Sequence, residues 1–178
     1  MGVAQIIGFL AMAGAIICFQ QKDRKKLMLW QLVVCLLWTL HFSILGMETG
    51  AVINGVQVIR TVIFSQKEDK KWAGWNGWLI IFMAVTVFLG IITWNGIFSL
   101  FPIIGTCFAT ISMWMKKPFT IRALTVPVAM SWFVYDVASR SIAGACNEIF
   151  CLCSIIVAFF RIDFPERRKQ KALKMQNE

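Results

Sequence analysis

Seven long apolar segments separated by short polar stretches dominate this chain of 178 residues. A helix needs about 20 apolar residues to cross the hydrocarbon core of a bilayer. Helix is favoured over a membrane barrel because none of the segments alternates apolar and polar residues as barrel strands do. The sequence therefore predicts an all-α polytopic membrane protein with seven transmembrane helices. The segments cover residues 3–19, 27–47, 49–64, 72–93, 96–115, 119–139 and 141–160.

The composition argues against the common soluble classes. Apolar residues make up 58% of the chain and charged residues 15%, whereas a soluble domain carries about 25% charged residues. The net charge of +9 comes from clusters between apolar segments and not from one basic helical face, so we expect no nucleic-acid partner. Six cysteines without CxxC spacing and a single histidine predict no metal site and no cofactor. We also expect no enzyme, because neither a Gly-rich phosphate loop nor a nucleophile with a paired base is present.

The basic residues alternate between the two ends of the predicted helices. The loops after the first, third and fifth helices and the tail are basic, whereas the opposite loops, around Glu48, Asn95 and Arg140, hold one basic residue. The positive-inside rule then places the N-terminus outside and the C-terminus in the cytoplasm. The clustered residues are Lys22, Arg24, Lys25, Lys26, Lys67, Lys70, Lys71, Lys116, Lys117, Arg122, Arg161, Arg167, Arg168, Lys169, Lys171 and Lys174.

The two ends of the chain resemble each other, which predicts an internal repeat. We expect a first three-helix repeat at 1–66, a linker transmembrane helix at 67–95, a second three-helix repeat at 96–161 and a basic cytoplasmic tail at 162–178. The linker is needed because a three-helix unit ends on the side opposite to its start, so one extra crossing lets the second unit run parallel to the first. Residues 94 positions apart match in four pairs, Trp38 with Trp132, His41 with Tyr135, Gly50 with Gly144 and Ala51 with Ala145.

Short motifs in both halves resemble those of the SWEET and PQ-loop (MtN3-like) superfamily. Its length, short loops and basic tail make the chain similar to the bacterial inner-membrane YgjV family, which we place within that superfamily. The resemblance implies a multi-pass protein of the bacterial cytoplasmic (inner) membrane, with two three-helix bundles flanking a linker helix. It also implies a small polar solute moved by alternating access and contacted by Asn54 and, with a shift of one residue, Asn147. The motif residues are Trp38, His41, Asn54 and Gly55 in the first copy, and Trp132, Tyr135, Asn147 and Glu148 in the second.

Polar side chains inside the apolar segments are the candidates for a binding site. A charged group at a helix centre costs about 2.5–3.5 kcal/mol on insertion scales, so it normally faces a partner or a wet cavity. The alternative is that these groups hydrogen-bond helix to helix. His41 is either a proton switch or a packing residue, and we expect Arg60 to extend to the headgroups. The candidate substrate-binding residues are Asn54, Trp38, His41, Gln57, Trp132, Tyr135, Asp136, Asn147 and Glu148.

These features predict a membrane transporter or facilitator for a small polar metabolite. The alternative function is a non-transporting receptor or scaffold that uses the same bundle and a basic tail. The expected partners are the solute and the lipid bilayer, and a homodimer is a further assembly that we keep open.

Overall fold

The computed structural model describes residues 2–19, 24–67, 69–115, 118–160 and 164. Lys22, Lys116, Lys117, Arg161 and, apart from Phe164, the predicted tail lie outside this part of the chain. The described residues form seven α-helices, one 3-10 turn and no strand, so the prediction of an all-α protein is confirmed. The helices are α1 (Val3–Phe19), α2 (Arg24–Ile44), α3 (Glu48–Ser65), α4 (Gly77–Ile92), α5 (Leu100–Trp114), α6 (Pro118–Ala138) and α7 (Ile142–Ala158), and the 3-10 turn Ile97–Ser99 precedes α5.

Helices α2, α4 and α5 have boundaries that differ from the sequence prediction by several residues, and α5 begins at Leu100, after the 3-10 turn. Helix α2 begins at Arg24 and ends at Ile44, where Gly46 adopts a φ of +68°. Glycine suits this left-handed conformation because it has no Cβ, so the chain turns there before α3. Helix α4 begins at Gly77 because the residues before it form turns, and the indole nitrogen of Trp78 donates to the carbonyl of Trp72 at 2.8 Å.

The burial pattern differs from that of a typical soluble protein, because many large apolar side chains are exposed and several polar ones are buried. Large apolar side chains face outward from the described helices, with Ile80 71% exposed and Phe88 63% exposed. By length and apolar composition, Ile97–Trp114 and Phe119–Ala138 are long enough to cross a membrane, and shorter apolar helices occupy Val3–Cys18, Leu29–Ile44, Gly77–Ile92 and Ile142–Val157. Apolar groups outside and polar groups inside suit a bundle that is surrounded by lipid. The buried polar side chains include His41, Thr49, Asn54, Arg60, Thr61, Thr86, Thr106, Thr110, Asp136 and Ser141.

The helices pack in two groups that meet along their flanks. Helix α2 packs against α1 and α3, and α6 packs in the same way against α5 and α7. Helix α1 contacts α7, α3 contacts α5, and α4 lies against both α3 and α5. The main buried apolar cluster joins the two groups, because it combines side chains of α2 and α3 with side chains of α5 and α6.

Candidate functional site

A cavity of about 400 Å³ lies between the two helix groups. Its wall contains side chains from α1, α2 and α3 and from α5, α6 and α7. Small-molecule sites are typically about 300–1,000 Å³ and combine apolar walls with a few placed polar groups. The cavity therefore has the size and the wall chemistry of a site for a small solute.

Helix α3 contributes two amide side chains to this cavity. Asn54 is 5% exposed and its Nδ2 donates to the carbonyl oxygen of Gly50 at 2.9 Å. Its Oδ1 accepts from Nε2 of Gln57 at 3.4 Å, one helical turn further along. An amide both donates and accepts hydrogen bonds. The hydrogen bond between these two side chains can therefore be replaced by hydrogen bonds to a solute.

The opposite wall carries two carboxyl groups from α6 and α7. Asp136 is 2% exposed, and it lines the same cavity as Glu148. Nδ2 of Asn147 donates to Oε1 of Glu148 at 3.0 Å. This arrangement places acceptor oxygens in an apolar surrounding, where a cationic or hydrogen-bond-donating group of a solute would bind.

Arg60 is inside the bundle, and the expectation that it extends to the headgroups is wrong. The residue is 2% exposed and lies in the cavity wall, because α3 packs against α5 on the side that carries Arg60. Its Nη1 donates to Oγ1 of Thr110 at 2.6 Å, and its Nη2 donates to Oε1 of Gln57 at 3.1 Å. Its buried Nε donates to no acceptor. A guanidinium at this depth is costly unless an anion or a polar network compensates for the lost water.

Four aromatic rings form one cluster, and those of Trp38, Phe42 and Trp132 belong to the cavity wall. The ring of Phe42 lies 5.8 Å from that of Trp132 and 5.6 Å from that of Tyr135, measured between centroids. Trp38 is 6.0 Å from Phe42, and Trp132 is 6.0 Å from Tyr135. We call Trp38, Phe42, Trp132 and Tyr135 the aromatic plug.

His41 links three helices behind the aromatic plug and does not line the cavity. Its Nδ1 lies 2.7 Å from the carbonyl oxygen of Ala4, and its Nε2 lies 2.7 Å from Oγ of Ser141. That hydroxyl also caps α7 by accepting from the backbone nitrogen of Gly144 at 3.1 Å. Nδ1 is the donor to Ala4, because a carbonyl oxygen only accepts, and Nε2 shares a hydrogen bond with the Ser141 hydroxyl. His41 therefore connects α1, α2 and α7 through two buried hydrogen bonds.

Tyr135, a member of the aromatic plug, makes a similar connection between helices. Its hydroxyl oxygen accepts from the backbone nitrogen of Gly50 at 2.9 Å, in the first turn of α3. A Cβ on Gly50 would lie 2.7 Å from Cε1 of the Tyr135 ring, so glycine is what lets the ring approach the helix. Tyr135 is 1% exposed and, like His41, does not line the cavity.

The structure thus brings together seven of the nine predicted binding residues and leaves out His41 and Tyr135. Sequence analysis missed Arg60 as part of the wall, although its spacing from Asn54 and Gln57 on one helix face was a usable signal. It also missed Gln31 and Ser112. These lie near helix ends, where the sequence alone does not say which face points inward. The seven are Trp38, Asn54, Gln57, Trp132, Asp136, Asn147 and Glu148.

Comparison with known proteins supports the prediction of a membrane protein. Residues 2–166 match the Imp-YgjV family, which is described as bacterial inner membrane protein. The chain is 24% identical over 146 residues to the inner membrane protein YgjV of Escherichia coli (strain K12), a match that covers 82% of this chain and 76% of that protein. No solved structure matches the chain. Because the match to the family spans almost all of the helices described above, the chain belongs to the Imp-YgjV family of bacterial inner membrane proteins.

Proposed function

We propose that this protein moves a small polar solute across the inner membrane by alternating access between two three-helix bundles. The observation that carries the proposal is the cavity of about 400 Å³, whose wall takes amide, carboxyl and guanidinium groups from both helix groups. A purely structural polar network would be expected to fill its own space. A cavity of this size with polar groups in its wall, at the interface between two bundles, is instead typical of a site that binds a solute.

The proposed architecture is a 3+1+3 arrangement, with α1–α3 and α5–α7 as parallel repeats, α4 as the linker and seven membrane crossings. The cavity wall supports this arrangement, because six pairs of lining residues are separated by 94 positions in the sequence. Two further pairs from α1 and α5 are 97 residues apart, the offset at which Ile6 matches Ile103. A two-fold arrangement of repeats would produce this result, and it favours placement in the SWEET and PQ-loop superfamily. The pairs are Gln31 with Thr125, Val34 with Val128, Trp38 with Trp132, Phe42 with Asp136, Asn54 with Glu148, Gln57 with Cys151, Ala15 with Ser112 and Ile16 with Met113.

We further propose that the described conformation is open toward the cytoplasm. The cavity extends from the aromatic plug toward Gln31, Ser112 and Ile121, at the end of the bundle where the basic clusters lie. The positive-inside rule assigns this end to the cytoplasm. Outward opening would then require the contacts between Phe42 and the second repeat to separate, so the aromatic plug acts as the outer gate.

Solute flux into proteoliposomes tests the proposal. A panel of small polar metabolites should include one whose uptake falls strongly in Asn54→Ala and in Glu148→Ala. Ala109→Trp should block uptake by filling the cavity, whereas Ala84→Trp, a matched change on the outer face of α4, should leave uptake unchanged.

Flux should be measured together with ligand-induced thermal stabilisation of the purified protein. Solutes that stabilise the protein without crossing the membrane would support the alternative function of a receptor or scaffold. A broad panel that gives neither flux nor stabilisation would overturn both functions.

A further inference from the structure

The charged groups of the cavity are divided between the two helix groups, although the other wall positions are paired. Among the described residues, Arg60 of α3 is the basic residue in the wall, and the acidic residues are Asp136 of α6 and Glu148 of α7. The positions 94 residues away from these three are occupied by uncharged Ser154, Phe42 and Asn54. The cavity therefore has a positive side and a negative side.

The Nε and Nη2 edge of Arg60 makes no hydrogen bond to a charged group of the described residues. The Nε and Nη2 atoms of a guanidinium form a parallel pair of donors that matches the two oxygens of a carboxylate. In Arg60, Nε donates to no acceptor, and Nη2 makes a 3.1 Å bond to the neutral Oε1 of Gln57. No carboxyl group of the described residues pairs with this cation, since its bonds go to Thr110 and Gln57.

The negative side is arranged for a cation. Glu148 receives a hydrogen bond from Asn147, and Asp136 adds a second carboxyl group to the lining of the same cavity. Each carboxylate can accept several hydrogen bonds, and an ammonium group offers three donors in a compact charge. An ammonium between these groups would lower the repulsion between the two carboxyl groups.

From this division of charge we infer that the solute is a small zwitterion, bound with its carboxylate on the Nε and Nη2 edge of Arg60 and its ammonium beside Glu148 and Asp136. The inference rests on the proposed function for the existence of a solute and adds its chemical class. In the apolar surrounding of the cavity, each end of the solute and each wall would lose water, so a solute with one charge would leave the opposite wall unpaired. Specificity for a molecule with both charges follows from this penalty.

The test is binding of a matched series to the purified full-length protein. Linear ω-amino acids, from glycine to aminohexanoate, are compared with the monocarboxylate, the monoamine and the diol of the same chain length. Thermal unfolding and titration give the affinities. At least one ω-amino acid should bind at least tenfold more tightly than its three counterparts, as about one charge-assisted hydrogen bond requires.

Variants identify the two ends of the site. Arg60→Gln should abolish the advantage of the ω-amino acid over the monoamine, and Glu148→Gln should abolish its advantage over the monocarboxylate. Arg60→Lys, which keeps the charge but loses the planar pair of donors, should fall between wild type and Arg60→Gln. Binding that remains at the unchanged end shows that each variant is folded. The matched changes Arg140→Gln and Glu48→Gln, at exposed positions outside the cavity, should leave all affinities as in wild type.

Equal affinity for the diol and the ω-amino acid, no binding of any member of the series, or unchanged preferences in Arg60→Gln and Glu148→Gln would each overturn the inference. The result also separates it from the proposed function. Flux of uncharged polyols without binding of zwitterions would refute the inference of a zwitterionic solute and support the proposed transport function. Binding of zwitterions without flux would support the inference of a zwitterionic ligand and refute the proposed transport function.

Discussion

Replacing Gly50 by alanine should destabilise the bundle, although alanine is the better helix former. The added Cβ would lie 2.7 Å from Cε1 and 2.9 Å from the hydroxyl oxygen of Tyr135, and 3.1 Å from Cγ of Phe42. Carbon atoms prefer a separation of about 3.5–4.0 Å, so the ring has to move by nearly 1 Å. It cannot move freely, because the Gly50 hydrogen bond and the aromatic plug hold it in place.

The expected cost follows from three contributions. Overpacking of this kind costs about 1–3 kcal/mol, and loss of the Gly50 to Tyr135 hydrogen bond adds about 0.5–1.5 kcal/mol. The helix propensity of alanine returns up to about 1 kcal/mol. We therefore expect a net loss of about 0.5–3.5 kcal/mol, and each kcal/mol corresponds to about 2–4 °C in Tm for a chain of this size.

Thermal unfolding of the purified protein in detergent, followed by tryptophan fluorescence, measures this effect. Gly55→Ala is the matched control, because it lies on the same helix and its added Cβ would meet no atom within 4 Å. Tyr135→Ala made together with Gly50→Ala should remove the clash, so the double variant should be more stable than the sum of the single changes predicts. Equal Tm values for Gly50→Ala and Gly55→Ala, or additive behaviour of the double variant, would refute the reasoning.

Three further outcomes are expected. His41→Ala should lower the free energy of unfolding by about 1–3 kcal/mol, because it breaks two buried hydrogen bonds; Leu40→Ala on the outer face should cost much less, and a double-mutant cycle with Ser141→Ala should show coupling. Lys67→Met should lower the free energy of unfolding by about 0.5–2 kcal/mol, because the ammonium lies 3.4 Å from the Trp114 ring centroid. Lys70→Met, at an exposed position, should have no measurable effect in the same unfolding assay. In a background without the native cysteines, Glu48→Cys should react with a membrane-impermeant maleimide in intact cells and Lys70→Cys should not; the opposite result would reverse the proposed orientation.

The sequence alone determined the class of protein and the number of helices. Lipid offers no hydrogen-bond partner to backbone N–H and C=O groups, so each long apolar segment was predicted to be a helix. All seven helices are present in the described residues. Their boundaries were less certain, because the hydropathy of Trp72 and its neighbours does not distinguish a helix start from a turn. The sequence also identified Trp38, Asn54, Trp132 and Glu148 as candidate binding residues, since polar and aromatic residues occur 94 positions apart in the two halves of the chain.

Only the tertiary structure decided which polar groups share a cavity. Arg60, His41 and Tyr135 are all polar residues near helix ends, and their sequence context does not separate a buried position from the headgroup region. Packing of α3 on α5 turns Arg60 inward, while the hydrogen bonds to Ser141 and Gly50 hold His41 and Tyr135 out of the cavity wall. The direction of a side chain in a lipid-embedded helix depends on which neighbour covers each face, and that is settled by contacts between residues far apart in the chain.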